Sequence, residues 1–124
     1  MNTQSIINKF NTLQKKQEYK DFMYKSLLDE IYNSNINEYF MNENPQIFFL
    51  ILEKTRFINQ TILNDICNFV INNFNPCCEI IDSYCSILEK NINQISHHQI
   101  QNLKNIRKDY TVYFNNIGML FKKL

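Results

Sequence analysis

The sequence predicts an all-α protein made of stacked antiparallel helical hairpins, which is a short α-solenoid. Residues 92–124 resemble residues 58–90 at an offset of 34 positions, a period typical of helical-hairpin repeats. Apolar residues also recur at helical spacing, and Asn-Pro pairs that favour helix starts precede two Ile-Leu-Glu-Lys strings. With 124 residues we expect a single helical domain, 1–124. An irregular six-helix bundle is the alternative fold.

The repeat begins with an identical tripeptide. Ile58-Asn59-Gln60 recurs as Ile92-Asn93-Gln94, and a looser third copy lies upstream at spacings that drift to 35 and 36 residues. Because Asn, Ile and Lys are abundant in this chain, chance matching is the competing explanation. Residues 58–90 and 92–124 are therefore candidate repeats.

The N-terminal segment is basic and amphipathic. Residues 1–17 contain three lysines and no acidic residue, and their apolar side chains fall at helical spacing. A mitochondrial presequence uses the same physical pattern. The absence of arginine and the scarcity of serine favour the alternative, a first helix that packs on the rest of the chain.

The middle of the chain is predicted to be helical. Apolar stripes indicate a helix over residues 18–33 and, after a short helix or irregular link over 36–41, another over 44–54. Periodicity alone would also allow a strand in the apolar run 47–52. Pro45, which suits the first turn of a helix, favours the helical interpretation.

The first candidate repeat is predicted to hold two helices. Thr61 is placed to cap a helix that runs to about residue 73. Asn75 and Pro76 then start a second helix over 76–90. The short turn between the two helices requires them to pack antiparallel.

The second candidate repeat is predicted to begin with a capping box. In that motif Ser96 accepts from the N–H of Gln99, while the Gln99 side chain reaches back to Ser96. The resulting helix runs to about Lys108, and Asp109 caps the last helix.

Charge is unevenly distributed along the chain. Residues 1–20 carry a net charge of +3, residues 21–89 of −7 and residues 91–124 of +4, while the whole chain carries +1. Such asymmetry suits a chain that lies between an RNA or membrane surface and a basic protein partner. Ordinary solvated helix faces are the alternative explanation. No apolar run approaches the ~20 residues of a transmembrane helix, so no membrane span is predicted.

The cysteines are expected to be reduced core thiols. Four occur in a sequence without a secretory signal peptide. The adjacent pair Cys77 and Cys78 would point about 100° apart on a helix, which differs from the paired ligands of a zinc site. No metal site is predicted.

No constellation in the sequence indicates catalysis. His97 and His98 lack a nucleophile or carboxylate motif beside them and are predicted to be surface residues. Gly118 is the only glycine, which excludes a glycine-rich phosphate loop. The chain is therefore predicted not to be an enzyme, and neither a cofactor nor a small-molecule substrate is expected.

A basic ridge is the candidate RNA-binding site. Lys104, Arg107 and Lys108 fall at i, i+3 and i+4 on one predicted helix, beside Tyr110 and Tyr113. Cations interleaved with aromatic side chains suit RNA phosphates and bases. A solubilising helix face is the alternative, because three cations release few counterions. These five residues are the basic ridge below.

Part of the C-terminal sequence resembles the helical-hairpin repeats of the heptatricopeptide and octotricopeptide class. The likeness lies in the run from Asn91 to Ile106 and in Tyr113-Phe114-Asn115-Asn116-Ile117, which follows it. Proteins of that class are abundant in organelles and often carry a C-terminal RAP domain. No RAP domain is visible here, which argues against an independent RNA-processing role. The resemblance implies association with organellar RNA or ribosomes.

The leading functional prediction is a non-catalytic helical-repeat subunit of an RNA-containing assembly. The mitochondrial ribosome is the favoured assembly, which places the chain in the mitochondrion and gives it RNA, ribosomal RNA included, and other protein subunits as partners. The alternative is a protein–protein adaptor or scaffold subunit of a protein-only complex, for which a cytoplasmic location is open.

Overall fold

The computed structural model describes residues 3–16, 21–107 and 115–124, and these residues form helices and no strand. The prediction of an all-α protein is confirmed. The α-helices are α1 (Thr3–Lys15), α2 (Asp21–Asn33), α3 (Asn37–Glu43), α4 (Pro45–Thr55), α5 (Gln60–Asn72), α6 (Glu79–Lys90), α7 (His97–Arg107) and α8 (Asn115–Lys123), with a short 3-10 helix, Ile92–Gln94, between α6 and α7.

The chain divides into two compact units, Met1–Ile58 and Asn59–Leu124. The first unit contains α1 to α4 and the second contains α5 to α8. The boundary lies one residue into the first candidate repeat, so the second unit contains residues 59–90 of that repeat and the second candidate repeat.

Helix α2 is central to the first unit, because it packs against α1, α3 and α4. Ile6 and Phe10 of α1 are buried, and the Phe10 ring meets the ring of Tyr24 edge-on at 6.2 Å between centroids. Each fully buried side chain of this kind stabilises the fold by about 1.5–3 kcal/mol. This packing is what the first-helix interpretation of residues 1–17 requires; a targeting role for the segment stays a prediction.

Local chemistry sets the helix boundaries in the first unit. Asn35 adopts a left-handed backbone conformation, φ 57°, which asparagine tolerates better than most residues, and α2 ends just before it. Pro45 is the first residue of α4, as expected, although the Asn44 side chain makes no capping hydrogen bond. The apolar run 47–52 is helical, and Leu50 is the member that reaches solvent.

The second unit contains α5, α6, α7 and α8. Helix α5 packs against α6 and α7, and α6 packs against α8. Its core is built from the apolar stripes of α5, α6 and α8 together with Leu103 of α7. Phe69 of α5 and Tyr84 of α6 are both buried, and their ring centroids lie 5.2 Å apart.

Helix α5 begins earlier than predicted. Its N-cap is Asn59, whose Oδ1 accepts a hydrogen bond from the N–H of Ile62 at 2.9 Å. Thr61 lies inside the first turn and is exposed, so its assignment as the cap is wrong. Asparagine and threonine are both good caps, and a single residue, Gln60, separates the two candidates.

Helix α6 begins later than predicted, at Glu79. The Oδ1 of Asn75 accepts from the N–H of Cys77 at 2.9 Å, which closes an Asx turn. Pro76 lies in this turn instead of in the first turn of the helix. The side chain that was expected to cap α6 therefore stabilises the turn that precedes it.

Candidate functional site

The basic ridge begins on α7. Lys104 and Arg107 lie in its last turn and are both half-buried. Lys108, Tyr110 and Tyr113 lie outside the described residues, as does Asp109, the predicted cap of the last helix. Two members of the ridge are thus placed on the surface of the second unit.

Arg107 connects the C-terminal ends of α7 and α8. Its Nη1 donates a hydrogen bond to the backbone carbonyl of Phe121 at 3.0 Å. Carbonyls in the last turn of a helix lack a partner within that helix, so the guanidinium satisfies one of them. A guanidinium has five N–H donors, and this contact uses one. Arg107 therefore has a structural role that the ridge prediction did not include.

Two further lysines follow Phe121 on α8. Lys122 is exposed, whereas Lys123 forms an ion pair with Glu89 of α6, with 2.6 Å between Nζ and Oε1. Neither residues 91–107 nor residues 115–124 contain an acidic side chain. Since Arg107 joins α7 to α8, the cations of the two helices belong to one end of the second unit.

Asp82 fixes the opposite end of α8. Its Oδ1 accepts from the backbone N–H groups of Asn116, at 3.0 Å, and Ile117, at 3.1 Å. Its Oδ2 accepts from Nδ2 of Asn116 at 3.0 Å. A carboxylate from α6 thus supplies the cap that α8 needs and lies at the positive end of its dipole.

A cluster of amides joins α5 to α7. Gln99 is only 4% exposed, and its Nε2 donates to Oδ1 of Asn64 at 2.7 Å and to Oδ1 of Asn68 at 2.8 Å. Its Oε1 accepts from Nδ2 of Asn102 at 3.2 Å. The Gln99 side chain is satisfied by this amide cluster, as a buried polar group must be.

The predicted capping box is half present. The Oγ of Ser96 accepts from the N–H of Gln99 at 3.3 Å, as expected. The Gln99 side chain, however, points to α5 and does not reach back to Ser96. The Gln99 side chain binds Asn64 and Asn68 of α5 instead of the backbone of Ser96.

The cysteines separate into buried and accessible thiols. Cys67 and Cys85 are fully buried, while Cys77 is exposed and Cys78 half-buried. Burial raises the pKa of the Cys67 thiol to about 12. Burial, followed by the charges of Asp82 and Cys67, likewise raises the pKa of Cys85 to about 12. Thiols of this kind are poor nucleophiles and metal ligands, because the thiolate is the reactive form.

His97 and His98 are exposed at the start of α7, as predicted. Within the part of the chain that the structure describes, no three His, Cys, Asp or Glu side chains are grouped so as to hold a metal ion.

Sequence reasoning missed Asp82, Glu89 and the partners of Gln99. Apart from Asn102, which is three positions from Gln99, each contacts a residue more than 30 positions away, so no local motif indicates it. The 34-residue offset holds a usable signal, since it pairs Asp82 with Asn116 and Glu89 with Lys123.

Among the described residues, none of the helices has the length and apolar character that crossing a membrane requires. Comparison of the chain with protein-family models, with curated proteins and with solved structures gives no significant match. What the chain does must therefore be argued from its own residues.

Proposed function

We propose that the chain is a non-catalytic helical subunit of an RNA-containing assembly and that the second unit contacts the RNA. The contact surface comprises Lys104 and Arg107 of α7 and Lys122 of α8. Lys108, Tyr110 and Tyr113, the other members of the basic ridge, are proposed as further RNA contacts. Phosphates bind the cations, and exposed bases stack on Tyr110 and Tyr113.

The observation that carries this proposal is the hydrogen bond between Arg107 and the Phe121 carbonyl, at 3.0 Å. It brings the cationic ends of α7 and α8 together, so charges that are distant in sequence act on one ligand. Residues 91–107 and 115–124 contain no acidic side chain, and Glu89 of α6 is paired with Lys123. A local excess of positive charge of this kind attracts polyanions.

The mitochondrial ribosome is the specific assembly that we propose. The support is the likeness of residues 91–117 to helical-hairpin repeats of organellar RNA-associated proteins, together with the basic N-terminal segment. The acidic stretch 21–89, with a net charge of −7, would face basic protein subunits.

A native pull-down of the tagged chain, with and without ribonuclease, tests this function. We expect ribosomal RNA and ribosomal proteins to be recovered together and to be lost after digestion. The double variant Lys104→Ala/Lys122→Ala should lose the RNA, because two phosphate-binding charges are removed. It should keep the fold, because neither lysine forms a salt bridge with a described residue.

The matched control is Lys15→Ala/Lys90→Ala, which removes the same charge from exposed positions elsewhere. Basic residues near helix C-termini also offset the helix dipole, so unfolding curves must accompany each pull-down. Equal RNA recovery by both double variants, at equal stability, would exclude the proposed surface. Recovery of the same proteins regardless of ribonuclease would favour the protein-only adaptor.

A further inference from the structure

A groove of about 910 Å³ runs between α1 and α2 in the first unit. Its apolar lining comprises Leu13 of α1 and Phe22, Met23 and Leu27 of α2. Leu27 is buried, but Phe22 is 66% exposed. A large aromatic side chain left this exposed beside other apolar residues is typical of an interaction surface.

The α1 side of the groove is basic. Helix α1 carries no acidic residue, and Lys9 and Lys16 both line the groove. Lys9 is joined to Glu30 across the groove, with 3.1 Å between Nζ and Oε2. Lys16 is exposed beside Leu13 and forms no salt bridge with a described residue. The positive charge of Lys16 therefore favours a partner with acidic side chains.

The shape of the groove favours a helix. Two packed helices leave a long depression between them, and a third helix fills it by inserting side chains between theirs. Helix α1 has 13 residues, which correspond to about 20 Å at 1.5 Å per residue. A partner helix of about three turns matches that length and would place apolar residues at i, i+3, i+4 and i+7 on the groove.

A second copy of the chain fits this surface poorly. In a two-fold symmetric dimer the same patch meets itself, so a groove lined by two lysines and one glutamate would face a second lining of the same net positive charge. Like charges placed together disfavour association. A different protein with complementary charge does not meet this obstacle.

We propose that the groove between α1 and α2 binds an amphipathic helix of a partner protein. The apolar face of that helix covers Phe22, Met23 and Leu13, and carboxylates along one edge lie near Lys16. This surface belongs to the first unit and is independent of the RNA contact, so each proposal can fail without the other.

The test uses a panel of fluorescein-labelled 16-residue amphipathic helical peptides and the full chain. The peptides share apolar residues at i, i+3, i+4 and i+7, and they differ in whether glutamate or lysine flanks the apolar face. Fluorescence anisotropy gives the dissociation constant of each. We expect binding of glutamate-flanked peptides and at least about tenfold weaker binding of lysine-flanked ones.

Two pairs of variants locate the binding site. Phe22→Ala should weaken binding of the glutamate-flanked peptides about tenfold or more, whereas Tyr39→Ala, at an aromatic 57% exposed on α3, should not. Lys16→Glu should weaken it at least about threefold and favour the lysine-flanked peptides. Lys15→Glu makes the same charge change at an exposed residue that does not line the groove. Circular dichroism establishes that every variant is folded.

The absence of binding by any peptide in the panel would overturn the proposal. So would equal binding of both charge classes, or affinity that Phe22→Ala leaves unchanged. Sedimentation of the chain alone tests whether a second copy fills the groove. A dimer that Phe22→Ala dissociates would mean that it does.

Discussion

Gln99 is a buried polar residue of α7 that connects this helix to α5. It is buried, and its amide makes hydrogen bonds to Asn64, Asn68 and Asn102. A buried amide without such partners would disfavour folding, so the cluster fixes which residues of the two helices face each other.

Replacing Gln99 by methionine, Gln99→Met, should lower the free energy of unfolding by about 1–3 kcal/mol, because the variant keeps the approximate shape but loses the three hydrogen bonds to Asn64, Asn68 and Asn102. Urea unfolding followed by circular dichroism measures the change. The control is Gln101→Met, an exposed position on the same helix, which should stay within about 0.5 kcal/mol. Equal effects would mean that the amide cluster adds no stability.

Because of the buried thiols, we expect the free energy of unfolding to decrease at alkaline pH. In the unfolded chain Cys67 and Cys85 ionise near 9.0, whereas burial raises both pKa values in the folded chain to about 12. Above pH 9 the unfolded chain therefore releases protons that the folded chain retains. The contribution of the two protonated thiols to the free energy of unfolding is fully present below pH 9, and it is lost as the pH rises towards 12.

We expect the unfolding midpoint in urea to fall between pH 8 and pH 10.5, and to fall less in Cys67→Val, which has no thiol at that position. The Cys77→Val variant is the control, since Cys77 is exposed. An identical decrease in all three proteins would show that other groups cause it. Iodoacetamide at pH 8 should also modify Cys77 well before Cys67 or Cys85, because it reacts with the thiolate.

At the scale of the helix, α8 is held at both ends by α6. Asp82 accepts three hydrogen bonds at its start, and Glu89 pairs with Lys123 at its end. Helix α8 has nine residues, and helices this short are unstable alone in water. Its position, and hence that of Lys122, depends on these contacts.

The Asp82→Ala substitution should lower the free energy of unfolding by about 1–2 kcal/mol, through loss of the cap and of the favourable dipole interaction. Asp82→Asn keeps an acceptor oxygen and should cost less. Asp29→Ala is the control, because Asp29 makes an exposed i,i+4 ion pair with Lys25, and a pair of this kind contributes about 0.3–0.5 kcal/mol. Chemical denaturation of the four proteins compares them; an Asp82→Ala effect no larger than that of Asp29→Ala would contradict the capping role.

Hydrogen bonds also follow the 34-residue offset. Gln60 donates to the Gln94 carbonyl at 2.7 Å, and the pairs Asp82–Asn116 and Glu89–Lys123 have the same separation. Neighbouring repeats stacked in register place matched positions side by side. The repeat itself stays a prediction, and these pairs are where covariation in related sequences would reveal it.

The apolar stripes were sufficient to predict helices, because a period of 3.6 residues is a local property. Helix starts were harder to predict. Asn59 and Thr61 are both good caps two positions apart, and Asn75 can close a turn as readily as it can cap a helix. Asn64 and Asn68, which bind Gln99, and the residues that Asp82 caps lie on other helices, so only the fold brings them together. Of the candidate site, the sequence located Lys104 and Arg107 on one helix but not the contact of Arg107 with α8.

At the scale of the whole molecule, the two proposed contact surfaces belong to different units. The first unit exposes Phe22 beside the groove between α1 and α2, and the second carries the cations of α7 and α8. The two surfaces together suit a subunit that contacts protein through one unit and RNA through the other.

The most direct measurement is the affinity of the purified chain for a labelled single-stranded RNA across a series of salt concentrations. If Lys104 and Lys122 each neutralise a phosphate, the plot of log K against log salt should lose about 1.4 from its slope in Lys104→Ala/Lys122→Ala, at about 0.7 per contact. The control Lys15→Ala/Lys90→Ala should keep the slope of the unaltered chain. A slope that is the same in all three proteins, or no RNA binding at low salt, would contradict an RNA contact through α7 and α8.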